Sequence, residues 1–248
     1  MNRHTLIMTL LLIAAVEMTL RLFTIPEYLF PLPSLTFITL WISRADLLAA
    51  LSETSTHALV GLSLSTIGGV LLALIISLSR WLRAGILPVA LFFQTVPIIA
   101  IAPMLVIWFG FGAPTVIASS CIVSFFPILA SSLKGLESTP KSALELFQLY
   151  RANSFETYCK LKLPFAIPWI LNGLRISLGL SIVGALVGEF IAGGGLGSLI
   201  DSARTQQRTD LVFAAVFASC FLGWALTASF DYIQNQLLKK WTRQIERQ

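Results

Sequence analysis

The sequence predicts an all-α polytopic membrane protein, a single domain over residues 1–248 with about six transmembrane helices and a cytoplasmic helix pair between the fourth and the fifth. Three observations carry this. The chain is 56% hydrophobic and only 12% charged, whereas soluble domains carry roughly 25% charged residues. Uncharged runs long enough to cross a bilayer recur along it. Basic residues collect in alternate connections between those runs.

A hydrocarbon core about 30 Å thick needs about 20 apolar residues in a helix. Residues 58–79 and 86–109 contain no Asp, Glu, Lys or Arg, and the run from Leu211 is uncharged until Asp231 closes it, which defines the spans 58–79, 86–109 and 211–231. Residues 115–133 form a slightly shorter uncharged run that begins after the turn signal Gly110-Phe-Gly-Ala-Pro114. Residues 5–25 carry Glu17 and Arg21, four apart and thus on one helical face, where they can pair toward protein rather than lipid. Residues 165–192 carry Arg175 and Glu189 and read as a span whose polar face looks into a bundle. The first run lacks a small-x-small cleavage site before Pro26 and reads as a retained helix rather than a signal peptide.

Placing the N-terminus inside puts twelve basic residues on that side, from Arg3 through Arg80, Arg83, Lys134, Lys141, Arg151, Lys160, Lys162, Lys239, Lys240 and Arg243 to Arg247. The other side holds Arg44, Arg204 and Arg208. By the positive-inside rule both termini are expected in the cytoplasm of a multi-pass inner-membrane protein.

The inside connection 134–163 is too polar to span and rich in helix signals. Ser138 or Thr139 is the expected cap of a first helix, with Pro140 at its first position. A second helix opens at Asn153, with Glu156 completing a capping box, and is expected to stop at Pro164. The pair could lie on anionic head groups through Lys160 and Lys162, or insert Leu146, Phe147 and Tyr150 into a groove of another protein.

Several chemistries find no support. The net charge of +5 comes from short loops rather than one solvated face, so no nucleic-acid surface follows. Cys121, Cys159 and Cys220 form no disulfide framework or metal spacing, and His4 and His57, far apart and without carboxylates in a metal-ligand spacing, read as interfacial polar residues. A catalytic centre is therefore not expected. No broken-helix repeat suggests an ion-driven secondary transporter.

The stretch Glu145-Leu-Phe-Gln-Leu-Tyr-Arg-Ala-Asn-Ser-Phe-Glu-Thr-Tyr-Cys-Lys-Leu-Lys-Leu-Pro164 resembles the signature loop of the inner-membrane components of binding-protein-dependent ABC importers. Glu145, Ala152, Asn153, Leu163 and Pro164 fall in register. Leu146 and Phe147 replace two alanines, and Arg151 stands where the family has a glycine able to take a left-handed turn. The segments from Val96 to Gly112, Phe125 to Leu129, Gly173-Leu-Arg175 and Val187 to Gly197 are similar to the nitrate, sulfonate and taurine branch.

This resemblance implies a homodimer of permeases, two cytoplasmic ATPase subunits and a periplasmic solute-binding protein. Residues Glu145, Leu146, Phe147, Tyr150, Arg151, Ala152 and Asn153 would form the coupling helix. The chain would bind no cofactor, ATP being used by the partner, and Gly193-Gly-Gly-Leu-Gly-Ser198 lacks the lysine of a P-loop. A small anion of sulfonate, taurine or nitrate type is the first expected cargo, and a thiamine-precursor pyrimidine or related heterocycle the second.

Along the path, Gln94, Asn172, Arg175 and Glu189 are the polar residues expected to line a passage or gate, with Arg175 either attracting an anionic solute or held by a carbonyl or by Glu189. Pro88, Pro97 and Pro103 are expected to kink the third span. The Gly184-x-x-x-Gly188 spacing suggests a close helix contact at a dimer axis.

Overall fold

A computed structural model describes the backbone of residues 3–245 and the side chains of residues 5, 7, 8, 11–79 and 81–236. The side chains of Arg3, His4, Arg80, Lys239, Lys240, Arg243 and Arg247 lie outside these limits. Every regular element among the described residues is helical: α1 (Arg3–Leu22), α2 (Pro33–Ile42), α3 (Arg44–Ser77), α4 (Arg80–Thr95), α5 (Ile98–Phe109), α6 (Ala113–Glu137), α7 (Lys141–Leu149), α8 (Ser154–Thr157), a π turn (Tyr158–Lys162), α9 (Leu163–Ala192), α10 (Gly195–Thr205) and α11 (Thr209–Ile245).

Among the described residues four helices are long and apolar enough to cross a membrane, namely Arg44–Ser77, Ala113–Glu137, Ser154–Ala192 and Thr209–Gln236. The expected third span, 86–109, is not one kinked helix. It divides into α4 and α5, which meet at 100°. Val96 is extended, with φ −73° and ψ 123°, as a residue before proline prefers, and Pro97 has no N–H to continue the ladder. The pair still carries the chain from one end of the bundle to the other. Arg83, near the start of α4, pairs with Glu137 at the end of α6, whereas Gly112, just after α5, donates to the Ala192 carbonyl at the end of α9.

The bundle centres on α3, α6 and α9, which pack through small residues. Ser124 Oγ lies 2.8 Å from Ser65 Oγ, and Ser177 Oγ donates to the Ser124 carbonyl at 2.7 Å. Around this seam the buried core of Ala58, Leu62, Val116, Ile128, Leu178, Ile182 and Ala185 joins the three helices, and Leu222 brings in α11. Gly184 and Gly188 face α6, not a second molecule: a Cβ on Gly184 would lie 2.8 Å from the Cα of Ser120, and one on Gly188 would lie 2.8 Å from the Cα of Val116. The dimer-axis expectation for this pair is thereby corrected, because a partner helix of the same chain already fills the groove.

Helix α3 starts at Arg44, well before the expected span start at Ala58, so Asp46, Glu53 and His57 are helical and belong to its outer end. Helices α2 and α10 add two elements to those the sequence predicts. Pro33 at the start of α2 is the usual first-turn proline. Three consecutive glycines, Gly193, Gly194 and Gly195, all with positive φ, turn the chain from α9 back along the bundle as α10.

Candidate functional site

The element that joins α6 to α9 has two faces. Helix α7 has no fully buried residue, and Leu146, Leu149 and Tyr150 are 51%, 80% and 79% exposed. Phe155, on α8, is also exposed, whereas Phe147 and Leu144 are half-buried. Glu145 is exposed and Ala152 half-buried.

Backbone geometry fixes the corner between α7 and α8. Arg151 adopts φ 53°, the left-handed conformation that a glycine takes without cost, so the arginine keeps the turn the resemblance demands. Its N–H donates to the Gln148 carbonyl, and the Ala152 N–H donates to the Phe147 carbonyl at 3.0 Å. These bonds satisfy carbonyls at the end of α7. The Asn153 side chain accepts from the Glu156 N–H at 2.8 Å while Glu156 accepts from the Asn153 N–H at 3.3 Å, the predicted capping box.

Two expectations here are corrected. Ser138 and Thr139 do not cap α7, whose N-cap is Pro140 with no side-chain bond; Ser138 Oγ instead donates to the Gly135 carbonyl as α6 ends. Nor does the second helix stop at Pro164. It passes through the π turn into α9, with Pro164 directly after that turn, where the widened ladder accommodates a residue that lacks an N–H. The consequence is mechanical, because α8 and the central helix α9 form one continuous rod, Ser154–Ala192. Tyr158 ties this rod to α3 by donating from its hydroxyl to the Ser77 carbonyl at 2.8 Å.

At the other end of that rod lies a polar cluster that sequence reasoning missed. Glu189 is fully buried. Its Oε2 accepts from Thr54 Oγ1 at 2.8 Å and from the Gly197 N–H at 3.0 Å, and its Oε1 lies 3.2 Å from His57 Nδ1. Thr54 accepts in turn from the Leu196 N–H, and Glu53 accepts from the Gly195 N–H, both at 2.9 Å. Side chains of α3 and α9 thus occupy the first three amides of α10, which orients that helix on their negative and hydroxyl oxygens. Gly195 is indispensable, because a Cβ there would overlap the Glu189 carboxylate. His57 is therefore a buried partner of a carboxylate rather than an interfacial residue, and no signal linked it to Glu189 because 132 residues separate them.

Arg175 is not held by Glu189. Its Nε and Nη2 donate to Asp231 Oδ1 and Oδ2 at 2.5 and 2.9 Å, a two-point pair between α9 and α11. Asn172 is exposed one turn away. Gln94, also exposed, lines a cleft of about 260 Å³ at the α4–α5 break, facing Phe126 and Pro127 of α6 and Leu180 of α9. The structure therefore disperses the four path residues: Arg175 and Asn172 share one stretch of α9, Gln94 lies by the break, and Glu189 is sealed at the α10 end.

Known proteins are similar to this chain in sequence and in fold. The chain is 33% identical over 231 residues to the formylaminopyrimidine transport permease protein ThiX of Halalkalibacterium halodurans, covering 92% of each. It is 29% identical to the aliphatic sulfonates transport permease protein SsuC of Bacillus subtilis, named as putative there, over 86% of this chain and 76% of that one. A crystal structure of an amino acid ABC transporter matches its fold with a TM-score of 0.66 at 13% identity, over 82% of this chain and 98% of that one. The family model of the binding-protein-dependent transport system inner membrane component matches residues 65–243, from the second half of α3 through the exposed α7–α8 corner and α10 into α11, and the chain belongs to that family.

Proposed function

We propose that the chain is the transmembrane permease subunit of an ATP-driven importer, in which it forms the path for a small solute delivered by a binding protein. Two copies of the chain, two cytoplasmic ATPase subunits and a periplasmic solute-binding protein, embedded in membrane lipid, make up the assembly. The chain holds no ATPase site of its own, and both its termini face the cytoplasm. Glu145, Leu146, Phe147, Tyr150, Arg151, Ala152 and Asn153 couple it to the ATPase, and Gln94, Asn172, Arg175 and Glu189 belong to the path or its gates.

One observation carries this reading. The α7–α8 corner presents Leu146, Leu149, Tyr150 and Phe155 outward while remaining continuous with α9. Large apolar side chains that converge on an exposed corner suit a protein groove, and a rod joined to that corner moves with whatever closes on it.

For the cargo, a heterocycle of the formylaminopyrimidine kind is favoured over a small anion. A small anion would be drawn by an unpaired cation on the path, and Asp231 offsets the charge of Arg175 at two points. The formylaminopyrimidine permease also aligns with 92% of the chain.

The test is co-purification from membranes. The wild-type chain is expected to bring an ATPase subunit with it, and Tyr150→Asp to lose that partner while still inserting. If no ATPase accompanies the wild type and uptake persists after ATP depletion, the importer reading fails. Ligand titration of the cognate binding protein with an aminopyrimidine and with taurine separates the two cargo classes.

A further inference from the structure

A cavity of about 380 Å³ opens where the α3–α4 junction, the end of α6, the start of α7 and the π turn meet. Its wall includes Ser79 and Arg83 from the junction, Glu137 and Thr139 from the end of α6 and the link beyond it, and Lys162 from the π turn. We propose that this cavity binds a phosphate group, carried by a membrane lipid or free in solution, and that the bound anion fastens the α7–α8 corner to the membrane helices. This goes beyond the transport role, which requires no ligand there.

Charge and donor supply support it. Two cations, Arg83 and Lys162, face one carboxylate, Glu137. Arg83 meets Glu137 through Nη1, which leaves other N–H groups of its five-donor fork to reach a second oxygen set. Lys162 has its ammonium 4.2 Å above the Tyr158 ring, and no ion pair involves it among the described residues. A cation held by a ring face keeps its three donors available. Ser79 Oγ accepts from the Trp81 N–H at 3.3 Å, and its own proton can go to a ligand oxygen.

The position suits an anion at the membrane surface. Trp81 is 89% exposed beside the cavity, and Lys134 sits 4.6 Å over the Trp169 ring at the same end of the bundle. Tryptophans of this kind mark the head-group level, where basic pockets between helices take lipid phosphates. The cavity is also bipartite: Ser79 and Arg83 belong to the α3–α4 side, whereas Lys162 belongs to the π turn between α8 and α9. An anion that bridges them resists their separation.

The experiment measures the thermal midpoint of the purified full-length chain in neutral detergent. Short-chain phosphatidylglycerol, inorganic phosphate, and sodium chloride at matched ionic strength are titrated separately. Wild type is expected to gain several degrees with a phosphate-bearing probe and none with chloride. A response to phosphatidylglycerol alone assigns the ligand to lipid, and a response to both probes assigns it to any accessible phosphate.

Lys162→Gln, which removes a half-buried charge that no ion pair holds among the described residues, is expected to weaken the apparent affinity about tenfold. Glu137→Gln is expected to strengthen it about threefold, an opposite change that misfolding cannot imitate. No response to either phosphate probe, or responses that neither substitution alters, would overturn the proposal.

Discussion

Arg175 and Asp231 face each other across α9 and α11 with two parallel N–H to oxygen bonds of 2.5 and 2.9 Å. Both side chains keep a considerable exposed fraction, 50% and 36%, so the pair borders a solvent-reachable or lipid-reachable face rather than the sealed core. Removing one partner strands a charge at membrane depth, which is costlier than removing both. Asp231→Asn and Arg175→Gln are each expected to lower the amount of folded protein recovered from membranes. The double substitution is expected to recover more than either single one. Equal loss in all three would mean that Arg175 acts on something other than Asp231.

The Glu189 cluster gives a sharper contrast between two substitutions. Glu189→Ala leaves the buried Thr54 hydroxyl and the Gly197 N–H without their acceptor, at about 1–3 kcal/mol for each orphaned group. Glu189→Gln keeps one oxygen for both donors, and its amide can donate to His57 if that ring presents its bare nitrogen. The expected order of thermal midpoint is wild type, then Glu189→Gln, then Glu189→Ala well below both. Restoration by glutamine identifies the role as hydrogen-bond acceptance; failure of both substitutions alike would assign it to the negative charge.

How much of the fold and the site is legible in the sequence depends on the range of the interaction behind each feature. Three of the four long spans are legible because an uncharged run of about 20 residues is what a bilayer core demands and what a soluble domain seldom contains. The fourth, which carries Arg175 and Glu189, is legible because the rest of its residues are as apolar. The capping box at Asn153 and Glu156 is local, three residues apart, and the structure contains it as predicted. The start of α3 is hidden, since Arg44, Asp46 and Glu53 resemble a loop until α10 is present to meet Glu53. The break at Val96-Pro97 does have a local signal, because the residue before a proline is steered to extended geometry; a kink leaves the helix running, whereas Val96 leaves it altogether. Contacts such as Arg175 to Asp231 and His57 to Glu189 join residues 56 and 132 apart, and periodicity carries no information about them.

Arg151 tests whether the α7–α8 corner tolerates its unusual residue for a reason. At φ 53° a non-glycine residue loses roughly 1–2 kcal/mol of backbone preference, while glycine gives back up to about 1 kcal/mol through its freer unfolded chain. Arg151→Gly is therefore expected to leave stability within about 1 kcal/mol of wild type. Arg151→Val, β-branched and poorly suited to positive φ, is expected to cost more than that. Thermal unfolding of the three proteins checks the order, and stimulation of the associated ATPase shows whether the arginine side chain adds anything beyond the turn.

Two glycines of α9 should respond in opposite ways to the same change. A Cβ on Gly184 would lie 2.8 Å from both the Ser119 carbonyl oxygen and the Ser120 Cα, which are backbone atoms of α6 and cannot rotate aside. Gly184→Ala must push the two helices apart along the seam that centres the bundle, an overpacking cost of about 1–3 kcal/mol. Gly179 sits on another face of α9, where an added Cβ would have nothing within 4 Å. Gly179→Ala gains helix propensity, up to about 1 kcal/mol in an aqueous helix, and meets no atom of its own chain. A drop in thermal midpoint for the first substitution with no drop for the second locates the close contact between α6 and α9. If Gly179→Ala instead leaves the monomer intact but weakens self-association, the open face of α9 at that position is covered by the second copy of the chain.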